Sequence, residues 1–330
     1  MQTICFYFCE TCCKMELYKK EGLLMISEET YTSSLHTHVH FRIYEPKIVL
    51  RIKAVLFVHH DLGEDLERYD HFAKWMQNKG YVVVVSDFAG HGRSLIDFEQ
   101  GYFGEGDAME GLLKDMHHLQ QVIMPRYPEA LHFYIGMGFG ASLIRLYATR
   151  FGDFFQGMIL LSPAHNISFS HTGTLRFQLE KMVRGSRYRA EKRMEIIRRR
   201  FAKKVGKNQF DYLTSNQKEI ELYEKDTVNN FPYTAKGFLD VLHINKMANL
   251  PTTIEATPDY LSIYLLSGKD DPVTRFGKDA QKIYEDYRNR GIKDLTIKVY
   301  EKSRHALMKE ENKIDVYNDI YHWLEERCFY

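Results

Sequence analysis

Three short segments carry side chains that could act together on a substrate. The first, Tyr134-Ile135-Gly136-Met137-Gly138-Phe139-Gly140-Ala141, joins an apolar run to a helical pattern. At such a strand–turn–helix junction a G-x-S-x-G pattern lifts a serine above the sheet, its glycines permitting the tight turn. Here the pattern reads G-x-G-x-G, and Gly138 offers no atom that can attack a carbonyl. The second segment, Ser267-Gly268-Lys269-Asp270-Asp271-Pro272-Val273, follows another apolar run and supplies Asp271 as an acid. The third, Ser303-Arg304-His305, follows a third run and supplies His305 as a base. An acid–histidine pair moves protons to and from reacting groups. Each segment alone has a plainer explanation. A glycine-rich turn also serves packing or dinucleotide binding, although G-x-G-x-x-G fails at Ser142 and this strand is not the first. Asp271 before Pro272 fits a turn or a helix cap, and His305 fits a cap or a packed side chain. Their order, each at the end of a strand, is what favours a common site.

Alternating patterns supply the elements that would position these groups. Ala54 to Val58 is a continuous apolar run that reads as a buried strand, and Tyr81 to Val85, Leu131 to Ile135, Gly157 to Leu161 and Leu261 to Leu266 read as further strands. Between and after them, Arg68 to Lys79, Ala108 to Ile123, Ala141 to Phe151, Phe276 to Arg288 and Asn312 to Arg327 carry apolar residues at helical spacing. Leu295 to Tyr300 is a further strand, and His36 to Tyr44 alternates as an antiparallel edge strand would. The rhythm predicts an α/β fold with a mostly parallel, doubly wound sheet and helices on both faces. It breaks between about Ser162 and Pro258, where helical patterns run without strands. An insertion of that length predicts a helical cap, residues 163–258, on a core of residues 26–162 and 259–330.

The motifs around this frame resemble the monoacylglycerol lipase and lysophospholipase family of α/β-hydrolases. His60-Asp61-Leu62-Gly63-Glu64-Asp65-Leu66-Glu67-Arg68-Tyr69 is similar to that family's H-G-x-G-E-H-x-x-R-Y segment, and Asp87-Phe88-Ala89-Gly90-His91-Gly92-Arg93-Ser94 to its D-x-x-G-H-G-x-S turn. Gly101-Tyr102-Phe103-Gly104-Glu105 and the cap segment Phe210-Asp211-Tyr212-Leu213 resemble further stretches of the group. The resemblance runs from about Met25 to Glu326 and implies the α/β-hydrolase fold. It implies Asp271 as triad acid, His305 as triad base, the N–H groups of Leu62 and Phe139 as oxyanion donors, and Gly138 at the nucleophile's position. It also implies an acyl ligand such as a monoacylglycerol or lysophospholipid, with no cofactor and no metal.

The departures decide the functional expectation. Glycine at residue 138 forms no acyl-enzyme, and removing a triad leaves only about 10³–10⁴-fold catalysis over water. Asp61 replaces the family's glycine in the oxyanion loop, where a carboxylate opposes developing negative charge unless it points outward. Asp65 replaces a histidine, and Met137 and Phe139 also depart from the usual residues, so the whole turn has drifted. Ser142 lies one helical turn on, about 6 Å along the axis, too deep to replace the hydroxyl. Glycine at a sparsely allowed backbone position returns about 1–3 kcal/mol to the fold. The expectation is an inactive relative that keeps a ligand pocket. The alternative is a general-base enzyme that uses the His305–Asp271 pair on water or a bound substrate.

The remaining composition narrows partners and compartment. The 330 residues carry a net charge of +1, which gives no reason to expect nucleic acid. Between Lys181 and Lys207, however, 12 basic residues face only Glu191 and Glu195, with Met194, Ile197, Phe201 and Val205 at helical spacing. That stripe fits either packing on the core or docking on an anionic membrane. Cys5, Cys9, Cys12 and Cys13 cluster in an aromatic-rich opening that lacks regular zinc spacing and a secretory pattern. Residues 1–25 are read as a disordered extension, with Met15 or Met25 as alternative starts. Cysteines without evident pairing suit a cytoplasmic setting, peripheral to membrane at most.

Overall fold

A computed structural model describes residues 24–46, 51–165, 171–189, 191–226 and 228–328. Eight strands form one sheet in the order β1-β2-β4-β3-β5-β6-β7-β8. The central strands are the apolar runs: β3 (Ala54–His59), β4 (Val82–Ser86), β5 (Leu131–Met137), β6 (Gly157–Leu161) and β7 (Ser262–Gly268), followed at the edge by β8 (Leu295–Tyr300). All these neighbours pair parallel. Every residue of β3 and β4 is buried, because helices cover both faces of a parallel sheet.

Side-chain alternation still sorts those buried residues. Val55 and Phe57 face one layer with Leu112, Met116 and Leu119 of α2 (Ala108–Ile123). Leu56 and Val58 face the other, against Phe72 and Met76 of α1 (Asp70–Gln77) and Val316, Ile320 and Leu324 of α10 (Lys313–Cys328). Fully burying one such side chain contributes about 1.5–3 kcal/mol. Truncating Leu56 to alanine would therefore loosen both its strand and the α1–α10 layer, costing about 2–5 kcal/mol.

Between β6 and β7 come α4 (His171–Arg184), α5 (Glu191–Ala202), α6 (Gln217–Lys225), α7 (Ala235–Ala248) and α8 (Pro251–Ala256). No strand interrupts them among the described residues. Of these, α7 packs on α3 (Phe139–Phe151) through Phe238, Val241 and Ile244 and so belongs as much to the core layer as to the cap.

Two expectations need correction. The alternating segment forms β2 (His38–Pro46), which pairs antiparallel with β4 but is not an edge. Outside it lies β1 (Leu24–Thr32), with Glu28 opposite Arg42 and Ile26 opposite Tyr44. Its polar centre, Ser27-Glu28-Glu29-Thr30, hid it, because an edge strand needs little apolar surface and its charges are satisfied across the pair. Arg42 binds Glu28 through Nε at 3.0 Å. The strand begins at Leu24, so the ordered fold starts inside the segment read as an extension. The cysteines at 5, 9, 12 and 13 lie outside the described residues.

Candidate active site

The carboxyl ends of β3, β5, β7 and β8 converge beneath the cap. At the end of β5, Gly138 turns the chain into α3 with φ +50 and ψ −103. Its N–H donates to the Leu161 carbonyl at 2.9 Å, which locks the turn to β6. Positive φ strains residues with a β-carbon, so glycine is the unstrained choice here. Gly140 meets a different demand: a β-carbon there would lie 2.4 Å from the His59 carbonyl oxygen.

After β7, Asp271 is fully buried. Its Oδ1 accepts the Val273 N–H and its Oδ2 the Thr274 hydroxyl, both at 2.8 Å. After β8, His305 presents Nδ1 to Asp271 Oδ2 at 2.8 Å, so the two residues assigned as acid and base do meet. The histidine loop is clamped by the cap segment Phe210–Leu213: Ala306 N–H donates to the Leu213 carbonyl at 2.6 Å, and Arg304 reaches the Asp211 carbonyl at 2.6 Å. From below, Ser162 Oγ donates to the His305 carbonyl at 2.7 Å.

The third partner comes from the loop after β3. Asp61 points inward, not outward. Its Oδ2 lies 2.9 Å from His305 Nε2 and its Oδ1 accepts the Phe139 N–H at 2.7 Å. A β-carbon built on Gly138 would lie 2.1 Å from Asp61 Oδ1 and 2.4 Å from its Cγ. The carboxylate therefore fills the space into which a side chain at residue 138 would project. Leu62 follows in the same loop and lines the same cavity, and no hydrogen bond among the described residues engages its N–H.

That loop is held on both sides. Glu64 accepts the Tyr69 hydroxyl from the core and the Tyr223 hydroxyl from α6, each at 2.7 Å. Burial pushes the Glu64 carboxyl up, but Arg68 and the two tyrosines outweigh it and leave it below the usual range. Gly63 N–H donates to Tyr233 Oη at 3.0 Å, which also meets His91 Nε2 at 2.5 Å. His60 donates from Nδ1 to the Asp61 carbonyl and accepts the Phe88 N–H at Nε2. Those two partners fix it as the neutral tautomer, in keeping with burial, which depresses it.

His305 is in the opposite state. Burial by itself depresses an imidazole, yet Asp271 and Asp61 outweigh that and raise His305 well above its ordinary value. Each ring nitrogen faces a carboxylate oxygen, so each carries hydrogen and the ring is an imidazolium. An imidazolium can donate protons but cannot accept one. The Phe139 N–H is also occupied. Ser142 is buried and accepts from Asn245 Nδ2 at 3.3 Å, and no hydrogen bond joins it to His305 among the described residues.

Above these groups is a cavity of about 160 Å³, largely apolar, walled by Phe231, Phe238 and Val241 and by Met194, Ile197 and Phe201 of α5. Met194, Ile197 and Phe201 of the apolar stripe noted in the basic segment line this pocket, with Val205 outside that lining. The sequence flagged Asp61 as a departure but could not show which way it turns. The bonds of Glu64 to Tyr223 and of Gly63 to Tyr233 could not be read from the sequence, because the partners lie 159 and 170 positions apart.

Comparison with known proteins places the chain in a family. Residues 51–312 match the family described as "Serine aminopeptidase, S33". The monoglyceride lipase of Mus musculus is 25% identical over 284 residues, covering 83% of each chain. A monoglyceride lipase homolog of Monkeypox virus is 26% identical over 279 residues, covering 83% of this chain and 90% of that one. Among solved structures, a thermostable carboxyl esterase from Bacillus coagulans in complex with glycerol superposes with a TM-score of 0.84 at 21% identity, covering 92% and 99% of the two chains. A soluble variant of monoglyceride lipase from Saccharomyces cerevisiae gives 0.68 at 15% identity, covering 97% of each. At those identities the structures establish the shared α/β-hydrolase fold.

Proposed function

Because the chain belongs to the serine aminopeptidase S33 family and is monoglyceride lipase-like, we propose that it is a disarmed α/β-hydrolase that binds an acyl ligand without turning it over. In this reading Gly138 stands at the nucleophile's position, and Asp271 and His305 are a retained acid and base with nothing to activate. The supporting observation is Asp61. Its carboxylate fills the space above Gly138, bonds His305 Nε2 and takes the Phe139 N–H. A hydroxyl, a free imidazole nitrogen and an open oxyanion donor are all required for acyl transfer. The same contact weighs against the general-base alternative, since a base must have a nitrogen free to accept a proton.

The test is labelling by a fluorophosphonate, together with turnover of a short-chain ester. Wild-type protein should stay unlabelled, and Gly138→Ser should label far less than the double variant, because the carboxylate displaced from above residue 138 still opposes negative charge near the oxyanion donors. Asp61→Gly combined with Gly138→Ser should label. Covalent labelling of the wild-type protein would overturn the reading.

A second reading concerns the outer face of the cap. On α4, Leu175, Leu179, Met182 and Val183 are all exposed, Met182 and Val183 by 76% and 77%. Their i, i+4, i+7, i+8 spacing makes one apolar stripe. Lys192, Arg200, Lys203, Lys204 and Lys207 have no ion pair among the described residues, whereas Arg187, Arg189, Arg193 and Arg199 do. Exposed apolar side chains on one cap helix, with cations lacking an ion pair on and after the next, are groups that an anionic bilayer surface would take. No helix among the described residues is long and apolar enough to cross a membrane, so the contact proposed is peripheral.

A further inference from the structure

The cavity over Asp61 holds one cation that its surroundings do not neutralise. Arg198, on α5, lines the cavity together with Asp61, Tyr212 and Asn230. Its Nη1 donates to the Asn230 carbonyl at 3.0 Å, a neutral acceptor. Its Nε is buried and has no hydrogen-bond partner, and no carboxylate lies within ion-pair distance among the described residues. Three other cap arginines differ in having a carboxylate partner. Arg193 meets Glu180 at 2.6 Å, Arg189 meets Glu99 at 2.5 Å, and Arg199 meets Glu195 at 2.8 Å. Arg198 is half-buried and also lies over the Phe210 ring, but its Nε–H is desolvated without an acceptor, which is costly for a guanidinium.

The floor of the cavity offers an anion little beyond the Leu62 N–H. The Phe139 N–H and the His305 Nε2–H both already point at the Asp61 carboxylate. A second anion placed there would meet the like charge of Asp61. Ser142 and Tyr233 are committed to Asn245 and to Gly63 and His91. Arg198 is the site in the lining with cationic donors to spare, and its fork of N–H groups matches a carboxylate or phosphate. The apolar wall beside it, Met194, Ile197 and Phe201, lies on the same helix and suits a hydrocarbon chain.

We propose that Arg198 is the head-group site of this pocket and that its ligand is a single-chain amphiphile with an anionic head, a carboxylate or a phosphate monoester. The inference rests on the acyl-ligand reading above and adds the charge and position of the head. Where a substrate would set its ester over residue 138, this ligand sets its anion on the cap.

Binding is measured by calorimetry with decanoate, decyl phosphate and 1-monodecanoylglycerol, each below its micelle-forming concentration, on the full chain. Wild-type protein should hold at least one anion about tenfold more tightly than the glyceride, the scale of one charge-assisted hydrogen-bond pair. Whichever anion binds tighter identifies the head as carboxylate or phosphate. Arg198→Leu, which keeps the apolar volume, should erase the preference while glyceride binding persists, and Arg198→Lys should restore part of it. If Arg198→Leu keeps the preference, or wild-type protein binds the glyceride as well as either anion, the assignment of the head fails while the pocket reading stands. If none of the three binds, both fall.

Discussion

Replacing Gly138 by serine should destabilise the protein, and the penalty should depend on Asp61. The new β-carbon would sit 2.1 Å from Asp61 Oδ1 and 2.6 Å from Oδ2, so the carboxylate must leave. Leaving breaks the 2.9 Å contact with His305 and the 2.7 Å bond from the Phe139 N–H. Charge-assisted bonds contribute about 1.5–3 kcal/mol each, and the ejected carboxylate regains water, so the net loss is about 2–3 kcal/mol. A side chain at φ +50 adds about 1–3 kcal/mol of strain. Together these give about 3–6 kcal/mol, a fall in melting temperature on the order of 5–10 °C for a chain of this size. Asp61→Gly alone loses the same two contacts, about 2–3 kcal/mol. In the double variant that loss is counted once, so the double should be about 2–3 kcal/mol more stable than the two single changes sum to. Denaturant melts of all four proteins measure this. Additivity within about 0.5 kcal/mol would show that Asp61 and a side chain at 138 do not compete for one space.

The charge state of His305 gives two further expectations. In ¹⁵N NMR both ring nitrogens should stay protonated above pH 7, and Asp61→Asn should lower the titration midpoint by removing one of the two carboxylates that raise it; a neutral ring at pH 7 would contradict the geometry. A histidine whose folded pKa is raised stabilises the fold fully below its unfolded value, about 6.5, and loses that contribution as pH climbs through the folded value. The stability advantage of wild type over Asp61→Asn should therefore shrink on going from neutral to alkaline pH, and growth of the gap would reverse the assigned sign. For the cap, sedimentation with phosphatidylserine-containing vesicles should fall sharply for Met182→Asp with Val183→Asp and weaken with salt. Indifference to both would remove the membrane contact.

Much of the frame was legible because burial leaves a plain mark on sequence. Val82 to Val85 and Ala54 to Val58 are apolar throughout since both faces of their strands are covered, and α2 runs over the very residues, Ala108–Ile123, that its periodicity marks. Strand β1 was not legible, since an edge strand closed by the Glu28–Arg42 pair carries no apolar signature. Asp271 and His305 could be named from order along the chain, and they do meet. The direction of Asp61 could not, because the spacing of residues says nothing about a loop side chain's rotamer. That direction follows from tertiary pins: Glu64 to Tyr69 and Tyr223, Gly63 to Tyr233. The same limit applied to the cap, where periodicity located the stripe on α5 but only packing shows that it faces the pocket, while the exposed stripe is on α4.

Recovery of bound lipid tests the central claim most directly. Purified wild-type protein is incubated with a radiolabelled medium-chain monoacylglycerol at stoichiometric concentration, and the bound and free lipid are extracted and resolved over hours. With Asp61 bonded to His305 and to the Phe139 N–H, the lipid should return intact and the protein mass should stay unchanged. Fatty acid released in proportion to protein, through an acylated protein intermediate, would contradict it.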